Sequence, residues 1–345
     1  RQTLRDAALR DRQQLASLLG VIHRPPSFRP LQRDGGGRPG YLLSGRGRLG
    51  QMSLSSMVRM LFPGFADEEV SAFLLQVQGS SDDPMGVLLR YESSLRSLEQ
   101  TMNRWQQQAT PFHLTSRRRV SEEIYRCWRR QTSQIFGPDG RVLGYRLSLG
   151  HVSIGDLPEM PEDVDFSHVV DLSLHEAGQT QRVDGFLRRF SGLRWLDLSD
   201  NGCTDIPPSL VGMPHLRELM LNGNQVRLSD SGAQTLSSLS LLEILSLDGN
   251  PLGRSPDLRP LNHLRRLSLR RTGLVVLPEG LLTRPFLEMA DLRGNALESL
   301  PDAFFSASAR QREAMVLDGN PFAHDVRLRL REQNDEVPAV NEPQG

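Results

Sequence analysis

The chain has 345 residues, enough for more than one domain, and its 41 basic and 41 acidic residues give a net charge of zero. It contains no run of about 18 apolar residues, so no membrane-spanning helix is predicted. Its two cysteines, Cys127 and Cys203, lie far apart, and the chain lacks the cysteine-rich caps of secreted repeat proteins. This pattern disfavours an oxidised extracellular receptor.

All the basic residues other than histidine are arginine, and lysine is absent. Two explanations stay open: a GC-rich genome that favours arginine codons, or selection against lysine, the usual acceptor of ubiquitin. Residues 1–143 hold 21 Arg against 13 acidic residues, whereas residues 144–345 hold 20 Arg against 28. This charge asymmetry predicts a domain boundary near Gly140. The chain begins at Arg1 rather than Met, so we expect it to be a piece of a longer protein.

Residues 1–50 divide into a predicted helix and a predicted linker. Leucines recur at helical spacing over residues 1–20. Residues 24–50 are rich in Arg, Pro and Gly, which is typical of a flexible linker. An Arg/Gly tract can also bind nucleic acid, but this one has little aromatic interleaving, so no nucleic-acid partner is predicted.

Residues 51–140 are predicted to form a helical domain, because apolar residues recur there at intervals of three and four. Trp105 and Trp128 fall on these apolar seams, so we expect them to pack between helices rather than to bind a cofactor. The domain is expected to cover the open end of the array that follows. The predicted helices are 53–61, 67–78, 86–108 and 116–135.

Residues 141–322 repeat one motif, L-x-x-L-x-L-x-x-N, of which Leu193–Asn201 is the clearest copy. The array holds eight copies, this one included, at spacings of 22 to 26 residues, which is typical of a leucine-rich repeat. The predicted fold class is therefore α+β: helices first, then a solenoid of about eight repeats with parallel strands on its concave face. Residues 323–345 are predicted to form a C-terminal cap and a linker.

The ninth motif position is predicted to build a structural ladder of asparagine side chains between neighbouring repeats. At the equivalent position, Val152, Ala177 and Thr272 replace asparagine, so the ladder is expected to break there. The predicted ladder residues are Asn201, Asn224, Asn250, Asn295 and Asn320.

The third, fifth and seventh motif positions should face the hollow of the solenoid, with the eighth at its edge. These positions are acidic in the middle of the array and basic toward its end, with Trp195 and Met220 as apolar side chains among the charges. We predict a partner-binding surface there, although any solvated repeat surface is also charged. Its predicted residues are Asp171, His175, Glu176, Trp195, Asp197, Asp200, Glu218, Met220, Asn222, Asp248, Arg266, Arg270 and Arg293.

The sequence proposes no catalytic residue, metal site or cofactor. It contains no P-loop, no dinucleotide-binding glycine motif, no H-E-x-x-H and no nucleophile elbow. The eight histidines show no metal-ligand spacing. Cys203-Thr204-Asp205 is a C-x-D motif, but Cys203 aligns with apolar core positions such as Val226 and Leu252, so it is expected to be buried.

Three segments carry a resemblance to a family: LFPGFADEEVSAFLLQV, YRCWRRQ and YRLSL, which opens the repeats. Over about residues 50–330 the chain resembles the large leucine-rich effectors of Gram-negative bacteria. These often carry a dermonecrotic-toxin-like N-terminal region and a C-terminal NEL (novel E3 ligase) domain. The repeats are also similar to those of IpaH/SspH-type effectors, although the repeats of those effectors are usually shorter than the 22 to 26 residues found here.

The resemblance implies that the solenoid recognises a host protein and that a NEL domain, expected beyond Gly345, transfers ubiquitin from an E2 through a catalytic cysteine. The chain itself would then be the inactive, substrate-recognising part of a Cys-dependent, RING-independent E3 ligase. The resemblance also implies a virulence factor that is secreted and translocated into the host cytoplasm. Two alternatives stay open: a non-enzymatic leucine-rich-repeat interaction protein, or the repeat region of a dermonecrotic or pore-forming toxin.

Overall fold

The computed structural model describes residues 53–79, 82–178 and 183–335. The described residues from Leu54 onward belong to one compact unit. The helix expected within residues 1–20, the linker at 24–50 and the tail after residue 335 lie outside the described residues. The domain limits at residues 50, 140 and 322 remain predictions. Among the helices that the structure describes, none has the length and apolarity to cross a bilayer.

Four helices precede the repeats, and their apolar faces form a shared core. Trp105 and Trp128 are 5% and 2% exposed, as expected from their positions on the apolar seams. The third helix starts cleanly because Pro84 occupies its first turn and the Asp83 carboxylate accepts a hydrogen bond from the Gly86 amide. The helices are α1 (Leu54–Leu61), α2 (Asp67–Gly79), α3 (Pro84–Gln107) and α4 (Leu114–Trp128).

The helix predicted for residues 116–135 is too long, because α4 ends at Trp128. Arg130 adopts the left-handed backbone conformation, with φ of 61°. The Gln131 amide donates to the Arg126 carbonyl oxygen over 2.8 Å, a bond that closes a helix end and stops its propagation. The chain then turns into strand β1 (Gln134–Phe136), so Ile135 lies in a sheet and not on a helical seam.

Within the described residues, nine strands form a single sheet in sequence order. β1 pairs antiparallel with β2, and the pairs from β2 to β9 are parallel. The hairpin of β1 and β2 thereby covers the first edge of the parallel array. The other strands are β2 (Val142–Ser148), β3 (Val169–Ser173), β4 (Trp195–Asp197), β5 (Glu218–Met220), β6 (Ile244–Ser246), β7 (Arg266–Ser268), β8 (Met289–Asp291) and β9 (Met315–Val316).

The leucines of each repeat stack in register and form the core of the solenoid. Leu172, Leu196, Leu219 and Leu245 pair along neighbouring strands and are at most 1% exposed. No single repeat could bury this face alone, so the repeats stabilise one another. The segments between strands carry short helical elements: α5 (Asp184–Leu187), α6 (Asp230–Ser238), α7 (Asp302–Phe305), α8 (Ala309–Glu313) and two 3-10 turns, Pro208–Gly212 and Leu281–Thr283. A longer helix, α9 (His324–Asp335), follows the last strand.

Asparagine side chains bridge successive repeats. Asn250 is typical: its Nδ2 donates to the Leu221 and Leu247 carbonyl oxygens over 2.8 and 2.9 Å, and its Oδ1 accepts from the Val226 amide. The same pair of carbonyl contacts, one in the residue's own repeat and one in the repeat before it, recurs at Asn201, Asn224, Asn295 and Asn320.

The expected break in this ladder at Thr272 is only partial. Its Oγ1 donates to the Leu269 carbonyl oxygen over 2.9 Å, and its amide donates to Asn295 Oδ1 over the same distance. A hydroxyl has one proton to donate where an amide has two, so threonine replaces the bond within its own repeat but not the bond to the preceding one.

Buried polar contacts attach the helices to the first repeats. Arg117 is 8% exposed, and its guanidinium donates to the Ile154 carbonyl oxygen over 2.9 Å and to the Trp105 carbonyl oxygen over 2.7 Å. The Trp105 indole donates to the Asp156 carbonyl oxygen. Hydrogen bonds from a charged donor are the stronger kind, so this cluster fixes α3 and α4 against the start of the solenoid.

Candidate functional site

The middle of the concave face is built by in-register strands. Asp171 pairs with Trp195, and Trp195 pairs with Glu218, so the third positions of three repeats form one row. The fifth positions form the next row, in which Asp197 lies beside Met220. Because neighbouring strands lie about 4.8 Å apart, side chains from successive repeats come within contact distance.

These rows surround a cavity of about 600 Å³, which we name the Trp195 cavity. Trp195 and Met220 are half-buried and supply its apolar surface. Ile135 from β1 and Arg146 from β2 close one side. The remaining lining residues are Ser148, Asp171, Ser173, Leu196, Asp197 and Glu218.

The Trp195 cavity holds more negative charge than the residues described by the structure neutralise. Arg146 donates to Asp171 over 2.6 Å and neutralises one carboxylate. Burial raises the pKa of Glu218, and the charges of Asp171 and Asp197 raise it further, whereas Arg266 lowers it. The raised pKa means that a carboxylate at Glu218 is poorly compensated, and a cation entering the cavity would stabilise it.

Next to this cavity, at the edge of the concave face, the structure brings together His151, His175 and Glu176. One ligand-capable atom from each lies within 4.8 Å of the others. His151 Nδ1 is 3.1 Å from Glu176 Oε2, and the two histidine rings lie 5.0 Å apart. The sequence proposed no metal site because these residues are not close in the chain, but one repeat length separates His151 from His175 and Glu176. Imidazole and carboxylate groups in this arrangement can hold a metal ion.

The basic end of the concave face differs, because its charges are paired within the chain. Arg293 donates to Asp291 through Nε over 2.9 Å and through a terminal nitrogen over 2.5 Å. Arg270 Nε lies 3.7 Å from the same carboxylate, and Arg266 Nε lies 3.7 Å from Glu288. The hydrogen bond from Arg293 holds the pKa of Asp291 below its ordinary value.

Two residues predicted for partner binding also join neighbouring repeats. Asn222 Oδ1 accepts from the Ser246 hydroxyl over 2.6 Å and from the Asp248 amide over 3.0 Å. Asp248 Oδ1 in turn accepts from the Ser268 hydroxyl and the Arg270 amide, both over 2.7 Å. Their oxygens are therefore engaged inside the array. A role for these two residues in partner binding remains a prediction.

The cysteines have the properties of core residues. Cys203 is 4% exposed and Cys127 is fully buried. Burial raises the pKa of each thiol to about 11, so both stay protonated at neutral pH. A nucleophilic cysteine needs an accessible thiolate, which neither site offers.

Sequence reasoning missed Ile135, Arg146 and His151. Ile135 was assigned to the helix predicted for residues 116–135, so its position in strand β1 was not predicted. Arg146 and His151 occupy the third and eighth positions of the first repeat, so the motif register itself contained the signal. A degenerate first repeat is aligned with less certainty than its neighbours, and its surface positions are easily overlooked.

Comparison with known proteins identifies the repeats. Residues 172–226 and 191–252 match the family model described as "Leucine rich repeat". The matched part of the chain is therefore made of leucine-rich repeats, the repeat class that the motif predicted.

Three curated mouse proteins are similar over part of the chain. Leucine-rich repeat and IQ domain-containing protein 4 is 32% identical over 131 residues, which are 31% of this chain and 22% of that protein. Podocan-like protein 1 is 32% identical over 39% of this chain and 28% of its own length. Podocan is 28% identical over 44% of this chain and 28% of its own. The chain thus spans less than a third of each of these relatives.

The solved structure of a leucine-rich repeat protein from Leptospira interrogans is also similar. The match covers 50% of this chain and 49% of that protein, with 20% sequence identity and a TM-score of 0.37.

Proposed function

We propose that the chain is a protein-recognition module whose Trp195 cavity binds a basic side chain, arginine or lysine, of a protein partner. The observation that carries this proposal is an indole placed among three carboxylates, one of which has its pKa raised by burial and by its acidic neighbours. Leucine-rich repeats supply the rigid concave scaffold on which such a site is held.

The chemistry of the cavity suits a cation better than an anion or an apolar group. The face of an indole attracts a guanidinium or ammonium, an interaction of about 0.5–2 kcal/mol depending on desolvation. Asp197 and Glu218 can accept hydrogen bonds from the same group. A cation also removes the repulsion among Asp171, Asp197 and Glu218, and would lower the pKa of Glu218 on binding.

A library of random heptapeptides, panned against the whole chain and eluted with free arginine, tests the proposal. We expect the enriched peptides to share an arginine or a lysine. Replacement of that arginine by citrulline keeps its size and removes its charge, and should weaken binding at least tenfold, about 1.4 kcal/mol, in a calorimetric titration.

A matched control separates the cavity from general acidity of the surface. Glu162→Gln with Glu298→Gln removes two exposed charges outside the cavity and should leave peptide affinity unchanged. Asp197→Asn with Glu218→Gln should abolish the discrimination between arginine and citrulline. Enrichment of acidic peptides, or equal affinity for the arginine and citrulline forms, would refute the proposal.

We propose further that the module recognises the host substrate of a secreted bacterial effector, a Cys-dependent E3 ubiquitin ligase that acts after translocation into the host cytoplasm. E2 and ubiquitin would bind a domain outside this chain. The complete absence of lysine among 345 residues supports this proposal, because a ligase without acceptor lysines here would not modify itself in this region. The resemblance of the helical segments to such effectors supports it as well.

The test is a reconstitution with the parent protein, E1, a panel of E2 enzymes, ubiquitin and ATP. Ubiquitin chains and a thioester that is cleaved by reducing agent are expected. If no E2 reaction gives either product, the ligase proposal is eliminated. The proposed binding role of the Trp195 cavity is tested separately, by the peptide titrations.

A further inference from the structure

The first three repeats place donor side chains at one corner of the solenoid. His151, Glu176 and Asp200 occupy the eighth motif position of successive repeats, and His175 precedes Glu176. His151, Glu176 and Asp200 line one cavity of about 680 Å³. His175 Nε2 lies 3.7 Å from Asp200 Oδ2, so all four side chains converge.

We propose that His151, His175 and Glu176 bind a divalent transition-metal ion of the Zn²⁺ type, with the Asp200 carboxylate as a fourth ligand. Two imidazoles with carboxylates suit zinc and its neighbours, whereas Mg²⁺ and Ca²⁺ prefer sites made of oxygen alone. The ligand atoms of His151, His175 and Glu176 lie within 4.8 Å of one another, and the exposed His151 and Glu176 side chains would have to rotate to reach bonding distance to one ion.

The backbone at these positions is an independent observation. His151, Glu176 and Asp200 adopt left-handed conformations, with φ of 56°, 52° and 54°. At the same position, later repeats use glycine, as at Gly223 and Gly249, for which this conformation carries no steric cost; Arg271 is a further exception. A residue with a Cβ costs about 1–2 kcal/mol there. In three successive repeats this position therefore carries a side chain with a donor atom where four of the five later repeats have glycine.

The environment of His175 also suits a ligand. Its Nδ1 is buried and has no hydrogen-bond partner in the described part of the chain, and it lies 3.9 Å from Asp197 Oδ2. Metal-ligating histidines usually donate their second ring N–H to a carboxylate, which fixes the tautomer. If Nε2 coordinates the ion, the Asp197 carboxylate could accept a hydrogen bond from the Nδ1–H group after a small rotation of the ring.

Titration of the chelator-treated whole chain with Zn²⁺ alone, followed by calorimetry, tests this site. One ion per chain is expected, and its binding should raise the melting temperature because it favours the folded state. His151→Ala with His175→Ala should weaken Zn²⁺ binding at least tenfold and abolish the thermal shift. Glu176→Gln should weaken it several-fold.

A matched control is His215→Ala with His263→Ala, which removes two exposed histidines elsewhere in the repeats and should change neither quantity. Circular dichroism verifies that each variant is folded. Undiminished Zn²⁺ affinity in the His151/His175 variant, an equal loss in the control, or equally tight binding of Mg²⁺ would overturn the site. Trp195→Ala should leave Zn²⁺ binding intact, so this test is independent of peptide recognition.

Discussion

The two halves of the concave face carry opposite charges and treat them differently. In the C-terminal half, Asp291 is only 3% exposed and is held by Arg293, with Arg270 nearby. In the N-terminal half, Glu218 has no such partner among the described residues, and its pKa is raised by burial and by Asp171 and Asp197. The charges of the C-terminal half therefore stabilise the fold through ion pairs, whereas the N-terminal half has carboxylates that can bind a partner's cation.

This difference locates the proposed binding region better than charge alone does. A paired surface charge contributes little to binding, because the ion pair must be broken before a new partner can use it. A carboxylate without an ion-pair partner, beside the half-buried indole of Trp195, has no existing ion pair to break when a cation binds. The Trp195 cavity is thus the part of the concave face that is best prepared for a partner.

The largest effect expected is on stability, in the C-terminal half. Asp291→Ala should lower the free energy of unfolding by about 3 kcal/mol, because it leaves the Arg293 amide without its buried acceptor and removes the carboxylate that forms ion pairs with Arg293 and Arg270. Urea denaturation measures this. Glu298→Ala, an exposed acid of the same repeat, should change stability by less than about 0.5 kcal/mol. Equal effects of the two substitutions would show that Asp291 has no special role.

The next effect is on binding, in the N-terminal half. Trp195→Ala with Asp197→Arg should weaken binding of the selected basic peptides by about 2 kcal/mol or more while the chain still unfolds cooperatively, because it removes the aromatic anchor and reverses a charge. Met289→Ala, which removes an exposed apolar side chain at the other end of the face, serves as the control and should have little effect. Equal losses in calorimetric titrations of the two variants would contradict the division of the concave face.

A smaller effect, of opposite sign to that at Asp291, is expected for Glu218. Glu218→Gln should leave stability unchanged or raise it by up to about 1 kcal/mol at pH 7, because the raised pKa means that the charged form is disfavoured in the folded chain. The measurement is again urea denaturation. A loss of more than about 1 kcal/mol would mean that the carboxylate has a stabilising partner after all.

The smallest effect is a difference in pH dependence. The pKa of Asp291 is lowered, so its contribution to stability is present above its ordinary pKa and disappears as the pH falls through the lowered value. The pKa of Glu218 is raised, so its cost is present above that raised value and is relieved as the pH falls toward the ordinary one. Urea unfolding at a series of pH values measures both effects. As the pH falls, the gain in unfolding free energy of Glu218→Gln should disappear at a higher pH than the loss caused by Asp291→Ala. The reverse order would contradict these assignments.

The sequence predicted the repeat class, the parallel strands and the inward leucines, because a motif of period 22 to 26 residues restricts the chain to one way of burying its apolar face. It did not predict where α4 ends, since the left-handed residue that closes the helix is Arg130 rather than the usual glycine. It also missed the proximity of His151 to His175, which depends on aligning the degenerate first repeat. Charges could be placed on a face from the motif, but their pairing depends on side-chain contacts across repeats.

Fluorine NMR of the chain labelled with 5-fluorotryptophan tests the central claim most directly. The chain has three tryptophans, of which Trp105 and Trp128 are buried between helices and Trp195 lines the cavity. Trp195→Phe assigns its signal. We predict that a selected arginine peptide shifts the Trp195 resonance in a saturable manner and leaves the other two unchanged, while its citrulline form needs at least a tenfold higher concentration for the same shift. A saturable arginine-peptide titration in which the Trp195 resonance does not move would contradict the proposal that this cavity is the binding site.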